Sequence, residues 1–278
     1  QPIGNWDVSN VTTMASMFQN ATGFNQPIGD WNVSSVQNFS SMFRNYYDTN
    51  TPMAFDQDIG NWDTSSATNM SYMFHGWDYP ERQAFNNGGS PSISGWDTSN
   101  VTTMREMFQH CTSFNQPIGH WNTSKVTDMY RMLFRATSFN QDLGGWDVTG
   151  VPDLSYFFQN NYVFNNGGST GINNWRPSSC TTLRGMFQSA TGFNQPIGDW
   201  DVSSVENFSS MFQNYYHTNT PMAFDQDIGN WDTSSATNMA YMFQAWDYPE
   251  RQVFNNGGSP SISGWDTSNV TTMREMFQ

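Results

Sequence analysis

Residues 6–25 read WDVSNVTTMASMFQNATGFN, and this stretch recurs with the same apolar register along the chain. Ten tryptophans mark its starts: Trp6, Trp31, Trp62, Trp96, Trp121, Trp146, Trp175, Trp200, Trp231 and Trp265. Ile or Leu stands three residues before each tryptophan, and an apolar pair, usually Met-Phe, stands eleven and twelve residues after it. Large apolar residues at such regular intervals indicate a solenoid, in which each coil buries its apolar side chains against its neighbours.

The coils are themselves grouped into larger blocks. The intervals between the tryptophans are 25, 31, 34, 25, 25, 29, 25, 31 and 34 residues, so the series restarts after six coils and 169 residues. Residues 22–109 and 191–278 align without a gap and differ at eight positions, which indicates a duplicated six-coil block. We expect one continuous domain over residues 1–278, with a block at 1–169 and an incomplete block at 170–278. Because neither end resembles a cap, we expect a segment of a longer array.

Within one coil, the pattern predicts a short strand, a turn and a short helix. The tryptophan and the residue two positions later alternate as in a strand. Val36, Phe39, Met42 and Phe43 have the spacing of one helical face, and the Ser or Thr three residues after each tryptophan suits a helix N-cap. The predicted fold is an α/β repeat solenoid of about ten coils, in which the strands of successive coils form a parallel ladder.

The string from Trp6 to Asn25, repeated from Trp96 to Asn115, resembles the BspA-like leucine-rich-repeat surface proteins. It is most similar to their Trp/Phe/Met-rich branch of about 25 residues per repeat, found in mycoplasma lipoproteins and in large protist and algal surface proteins. The resemblance covers essentially the whole chain. It implies a right-handed, leucine-rich-repeat-like solenoid in an extracellular array used for adhesion or as a filament, and it carries no catalytic residues over to this chain.

Composition excludes several kinds of partner. The formal net charge is −14, from 24 acidic and 10 basic residues, and Lys125 is the single lysine. Binding to nucleic acid needs clustered Lys and Arg, so we expect no nucleic-acid partner. No stretch approaches the roughly 18 apolar residues of a membrane span. Cys111 and Cys180 occupy unrelated positions in coils three apart, which predicts two buried small residues and no disulfide.

Insertions in particular coils supply the main candidate interaction site. One kind carries a Tyr-Tyr pair, the next coil carries Trp-Asp-Tyr-Pro-Glu-Arg, and a third kind inserts Asn-Asn-Gly-Gly. The first two fall on one edge of adjacent coils and predict an aromatic protrusion in each block, because insertions on one face often bind. Its residues are Tyr46, Tyr47, Trp77, Tyr79 and Arg82, and one block later Tyr215, Tyr216, Trp246, Tyr248 and Arg251. The alternative is that these aromatics pack on each other to seal a bulge.

Two further kinds of site are weaker. Clustered carboxylates are calcium candidates at Asp56, Asp58, Asp63, Asp225, Asp227 and Asp232. No spacing among them matches a known calcium loop, so solvated, turn-forming aspartates are favoured and no cofactor is expected. Nine Asn-X-Ser/Thr triplets would accept N-linked glycans in a secreted protein: Asn10, Asn20, Asn32, Asn38, Asn69, Asn100, Asn122, Asn207 and Asn269.

The sequence offers no catalytic arrangement. The four histidines fall at unrelated repeat positions, and no nucleophile, paired-carboxylate or metal-ligand spacing is present, so we expect no enzyme. The near-identical blocks favour an extracellular structural and adhesive protein that builds a surface filament or appendage from copies of itself. The alternative is an adhesin on a cell or virion surface that binds glycans or proteins through the solenoid face and the aromatic loops.

Overall fold

The structure, a computed structural model, describes residues 2–46, 51–77, 83–214, 220–245, 254–259 and 262–278. It shows a stack of ten coils. We number the coils 1 to 10 by their tryptophans, and we give a position within a coil as its offset from the tryptophan, so that Asn38 is position +7 of coil 2.

The predicted α/β solenoid, with one strand and one helix in each leucine-rich-repeat-like coil, is wrong. The helices in the described residues are five short 3-10 elements: Asn87–Gly89, Pro91–Gly95, Asn166–Gly168, Thr170–Asn174 and Asn256–Gly258. Over the same residues, neighbouring coils form isolated parallel bridges, chiefly at position +7, as in Thr13 with Asn38 and Asn38 with Asn69, and no strand or sheet. The coils are otherwise turns and irregular backbone joined to each other by hydrogen bonds.

The segment predicted as a helix is a run of tight turns. In coil 2, alternate N–H groups leave their own coil and donate to the next one, in the pairs Phe39 to Asn69, Ser41 to Ser71 and Phe43 to Met73, at 2.8–2.9 Å. Between them, Met42 N–H closes a turn onto the Phe39 carbonyl at 3.1 Å. An α-helix would instead send every N–H four residues back. Alternating bonds of this kind tie two coils together and leave no helix.

The tryptophans form one column through the stack. From Trp31 onward, each indole Nε1 donates to the carbonyl three residues before the tryptophan of the preceding coil, at 2.9–3.1 Å. The Trp62 and Trp96 rings stack with centroids 6.3 Å apart, and those of Trp96 and Trp121 stack at 5.9 Å. A buried indole N–H needs an acceptor, and the coil below always supplies one.

Two phenylalanine columns run beside the tryptophans. One contains position +12, for example Phe43, Phe74 and Phe108, with centroids 5.5–5.6 Å apart. The other contains the phenylalanine before Asn or Asp, such as Phe85, and the two columns touch at 3.8 Å between Phe74 and Phe85. All of these rings are fully buried. The apolar register predicted from the sequence therefore lines the core.

A ladder of asparagine and aspartate side chains runs beside the second phenylalanine column. Asn115 Oδ1 accepts the Asn140 N–H and the Gln141 side-chain amide, both at 2.9 Å. The Asn or Asp that follows the phenylalanine of the second column accepts, through its side chain, the backbone N–H of the equivalent residue in the next coil. This bond occurs at eight successive steps, from Asn25 to Asn255. Each side chain satisfies a backbone donor that the turn would otherwise leave unpaired.

Each Asn-Asn-Gly-Gly insertion, which we call the plug, places one buried asparagine between two coils, whereas its glycines are exposed. The second Asn of each insertion has positive φ, at 55° for Asn87, 52° for Asn166 and 51° for Asn256. Asn166 is fully buried. Its Oδ1 accepts the Leu143 N–H at 2.8 Å, and its Nδ2 donates to Asp142 and to the Ser169 carbonyl. Asn tolerates the left-handed region because its side chain bonds locally, which explains the residue chosen here.

Candidate binding face

The candidate site is the outer face formed by positions +7, +9, +10 and +13. At position +7, an Asn, Asp or Thr side chain accepts the N–H of position +9 in its own coil; Asn207 Oδ1 and Ser209 N are 2.9 Å apart. This Asx-type contact fixes the backbone between positions +7 and +9. The same contact recurs in all ten coils.

Position +10 has a left-handed backbone in every coil, with φ between 50° and 62°. Its residues are Ser16, Ser41, Tyr72, Glu106, Arg131, Tyr156, Gly185, Ser210, Tyr241 and Glu275. A positive φ at the third residue of a tight turn is the geometry of type II turns, which favour Gly there. Only coil 7 has Gly, so nine coils hold a side chain in a sparsely populated conformation. The result is a column of varied side chains on one face.

Arginines and tyrosines from +9, +10 and +13 pack on each other along this face. The Arg44 guanidinium carbon lies 4.4 Å from the Tyr72 ring centroid and 4.2 Å from that of Tyr46. Farther along, the Arg105 guanidinium lies 4.2 Å from the Tyr130 ring. Such cation–π contacts hold the cations of an otherwise acidic chain against aromatic faces.

A trough on this face is lined by residues of coils 5 to 10, among them Tyr156 of coil 6 and Tyr241 of coil 9. Two adjoining cavities of about 570 and 480 Å³ share Arg184, Asn207 and Asn238 in their linings. The floor of the trough consists of hydroxyl and amide side chains, among them Thr182, Asn207, Ser209, Ser210, Gln213 and Asn238. We call this feature the trough throughout.

Gly185 explains how Tyr156 comes to border the trough. A Cβ at residue 185 would stand 2.5 Å from Tyr156 Cδ1, so the tyrosine ring occupies the space that a side chain would need. Gly185 also has φ of 58°, which a glycine adopts without strain. The glycine therefore leaves room for the Tyr156 ring to lie over coil 7.

A glutamine ladder supports the inner edge of the trough at position +13. Gln159 donates to Gln188, Gln188 to Gln213, and Gln213 to Gln244. Gln244 then donates to the Glu275 carboxylate at 2.5 Å. Stacked amides of this kind fix one another's orientation.

In coil 3, position +13 is His75 in place of glutamine. Its side chain is 1% exposed, and its Nε2 lies 3.2 Å from Glu106 Oε2. Burial lowers the pKa of His75 below its ordinary value, against the opposing effect of Glu106. The imidazole is thus a buried, largely neutral group beside a carboxylate.

The predicted aromatic protrusion falls mostly outside the described residues. Tyr47, Tyr79, Arg82, Tyr215, Tyr216, Trp246, Tyr248 and Arg251 all lie there. Of the described pair, Tyr46 packs against Arg44, and Trp77 is 40% exposed with its ring 6.0 Å from His75. The protrusion as a whole stays a prediction.

The calcium candidates act on the backbone instead. Asp56 Oδ1 accepts the Asn86 and Gly88 N–H groups, and Asp225 accepts those of Asn255 and Gly257. The Ser92 hydroxyl holds the pKa of Asp58 below its ordinary value, as the Gly229 N–H does for Asp227. Asp63 and Asp232 each cap the residue two positions later, Ser65 and Ser234. Within the described ranges, no three His, Cys, Asp or Glu side chains are grouped as a metal ion would need.

The glycosylation candidates divide by exposure. Asn10, Asn20, Asn32, Asn100, Asn122 and Asn269 are exposed, whereas Asn38, Asn69 and Asn207 are half-buried at position +7. The half-buried three cap the backbone through Oδ1. An attached glycan would therefore fit the exposed group better.

The cysteines are as the sequence predicts. Both are buried and neither forms a disulfide. Burial raises the pKa of Cys180 to about 12 and that of Cys111 well above its ordinary value, so both thiols stay protonated.

The sequence argument missed the face and its trough. The sequence does hold one signal for the trough, in the eight positions that differ between the duplicated segments. At four of these positions, the residue of the second segment lines the trough: Gln37/Glu206, Arg44/Gln213, Ser71/Ala240 and His75/Gln244.

Coils of one pattern, joined by the same contacts at every step, define a tandem-repeat protein. A family model described as "Mycoplasma protein of unknown function, DUF285" matches residues 1–87, 79–170 and 164–278. These matches span the chain, which therefore belongs to the DUF285 family. No curated protein and no solved structure matches it. The resemblance to BspA-like surface proteins stays an expectation.

Proposed function

We propose that the chain is a non-enzymatic, extracellular structural and adhesive repeat protein, whose six-coil blocks build a surface filament or appendage. The observation that carries this proposal is the uniformity of the joints between coils. The indole hydrogen bond and the ladder of asparagine and aspartate side chains recur at every described step, including the coils with insertions. A stack joined this way gains length without new contacts, as a filament requires.

The polar side chains support the same proposal. Aspartates and asparagines that would be candidates for chemistry cap backbone N–H groups instead, as Asp97 does for Ser99 at 2.9 Å. The chain therefore uses its polar residues to hold a shape. The partners we propose are copies of this chain, because near-identical blocks offer lateral contacts of the same kind in each block. We propose neither nucleic acid nor a lipid bilayer as a partner. Among the described residues, no helix is long and apolar enough to cross a membrane.

Electron microscopy of the native particle, with gold-labelled antibody against this chain, tests the proposal. We expect label on the outside of intact cells or particles, along regular fibres. Label confined to the cell interior, or label on the surface without any fibre or spike, would contradict it. Isolated labelled spikes would favour the adhesin.

The adhesin is the second candidate, and the exposure of Trp77 favours it. A ring that is 40% exposed beside the buried His75 is a suitable anchor for a partner. The double change Tyr47→Ser with Trp77→Ser should leave the stack folded and abolish lateral association or capture of cells. Unchanged association and capture would show that these aromatics serve internal packing.

A further inference from the structure

We infer that the trough binds a short, neutral oligosaccharide. This inference goes beyond the structural role proposed above and does not depend on it. Tyr156 and Tyr241 both line the trough, whose lining continues to Tyr130 on one side and to Arg274 and Glu275 on the other. Small residues, Gly185 and Ser210, occupy position +10 in the two coils between these tyrosines. The two tyrosines are three coils apart, on the order of 14 Å at the usual spacing of paired backbones. That length suits a few sugar rings laid along the stack.

The chemistry of the lining is that of a sugar site. Aromatic rings offer apolar faces to the C–H faces of a pyranose while their hydroxyls stay in water. The floor between them is amide and hydroxyl, which both donate and accept hydrogen bonds. Oδ1 of Asn207 and of Asn238 is held by the backbone of its own coil. Because Oδ1 is fixed, the planar side-chain amide is fixed as well, and its Nδ2 group offers two N–H donors on this face.

The charges favour a neutral ligand. Arg184 and Arg274 line the trough together with Asp153, Glu206 and Glu275, so carboxylates outnumber cations there. Arg274 Nε lies 3.1 Å from Glu275 Oε1, which engages one of the two cations already. The acidic lining and the net charge of −14 would repel a sulfated or uronic-acid chain.

The duplicated segments differ at this site more than elsewhere. Of the eight positions that differ between residues 22–109 and 191–278, Glu206, Gln213, Ala240 and Gln244 line the trough. The core columns, by contrast, are identical in the two segments. The differences between the two copies are therefore concentrated on this face.

The first copy shows what a closed version looks like. Arg44 stands where the second copy has Gln213, and its guanidinium lies 4.4 Å from the centre of the Tyr72 ring, the counterpart of Tyr241. His75 stands where the second copy has Gln244, and it packs against Tyr72 with centroids 5.8 Å apart. In the first copy, the tyrosine face is thus covered by this chain's own side chains. In the second copy, the two glutamines bond to each other in the ladder, and the nearest guanidinium, that of Arg274, lies farther from its ring, 5.6 Å from the Tyr241 centroid.

This internal comparison supplies the test. We would titrate the full 278-residue chain with maltotriose, cellotriose and triacetylchitotriose, and with a heparin tetrasaccharide as the anionic probe, by saturation-transfer NMR and calorimetry. We expect at least one neutral trisaccharide to bind, and Tyr241→Ala to weaken it by about tenfold or more. The double variant Gln213→Arg with Gln244→His should abolish binding, and it should fold because the first copy carries those residues in the same place.

The reciprocal variant, Arg44→Gln with His75→Gln, is the matched control and should bind the sugar at least as well as the unaltered chain, because neither residue lines the trough. Binding by none of the neutral sugars, or by the heparin fragment alone, would overturn the inference. So would neutral-sugar binding that survives the Gln213/Gln244 variant or falls in the Arg44/His75 control, because the sugar would then bind elsewhere.

Discussion

At the scale of single residues, position +10 explains why each coil turns instead of forming a helix. Its φ is positive in every coil, although the residue there is Gly only in coil 7. The tight turns that this residue closes are held in place by N–H groups that donate to the next coil. The surrounding stack therefore imposes a conformation that the residues alone would not choose.

Changing Ser41 to Gly tests that conformation. Ser41 has φ of 57°, and Gly reaches this region without strain, so we expect the free energy of unfolding to stay unchanged or to rise by up to about 1 kcal/mol. Inside a helix, the same change would lower it by about 1 kcal/mol. Urea denaturation measures whether the free energy of unfolding rises or falls. Ser41→Val should lower stability by more than about 1 kcal/mol, because a Cβ-branched residue is disfavoured there.

His75 gives the chain a pH-dependent stability. Its pKa is lowered in the folded state, whereas in the unfolded chain it is near 6.5. The unfolded chain therefore binds the proton more readily, and stability is lost as the pH falls below about 6.5. We expect His75→Gln, which installs the residue found at Gln244, to remove this loss in thermal melts between pH 7 and pH 5.5. The exposed His120→Gln is the control, and a pH profile that is the same in all three chains would contradict the assignment.

At the scale of elements, the sequence predicted the contacts better than the backbone. The stacking of the tryptophans and of the apolar pair at +11 and +12 on neighbouring coils follows from residue type and spacing. The helix does not, because a series of four-residue turns, such as Phe39–Met42, also buries Val36, Phe39, Met42 and Phe43 together, as one face of a helix would. The trough was out of reach for another reason: it depends on the Tyr156 ring lying over a glycine one coil away.

The Asn-Asn-Gly-Gly plug is the element most sensitive to a single change. Asn166→Ala would leave the buried Leu143 N–H without its acceptor at 2.8 Å and place Ala at a positive φ. We expect a loss of roughly 1–3 kcal/mol in the free energy of unfolding. Asn10→Ala, at an exposed site, should change it by less than about 0.5 kcal/mol. Equal losses in the two variants, measured by chemical denaturation, would show that the plug contributes little.

At the scale of the whole molecule, each coil depends on its two neighbours. Phe43 is fully buried and stacks on Phe18, Phe55 and Phe74 at 5.6, 3.9 and 5.5 Å. Its contacts lie within coils 1 to 3, so damage at one coil should stay nearby.

We therefore expect Phe43→Ala to cost roughly 3–5 kcal/mol locally. Amide hydrogen exchange should show lost protection in coils 1 to 3 and preserved protection in coils 6 to 9. The Ser41→Gly chain provides a matched control in the same coil. Loss of protection spread evenly over all coils would mean that the stack unfolds as a single cooperative unit.

The central claim is that alternate backbone N–H groups in the +8 to +12 segment, those at +8, +10 and +12, bond to the next coil and not within a helix. The most direct measurement is the scalar coupling across those hydrogen bonds, observed by NMR on deuterated protein labelled with ¹⁵N-Phe and ¹³C′-Met. The structure pairs Phe43 N–H with the Met73 carbonyl at 2.8 Å and Phe212 N–H with the Met242 carbonyl at 2.9 Å. We expect couplings from Phe43 to Met73 and from Phe212 to Met242. In a helix, the acceptors would be Phe39 and Phe208, so couplings to those two residues, seen with ¹³C′-Phe labelling, and none to the methionines would contradict the account.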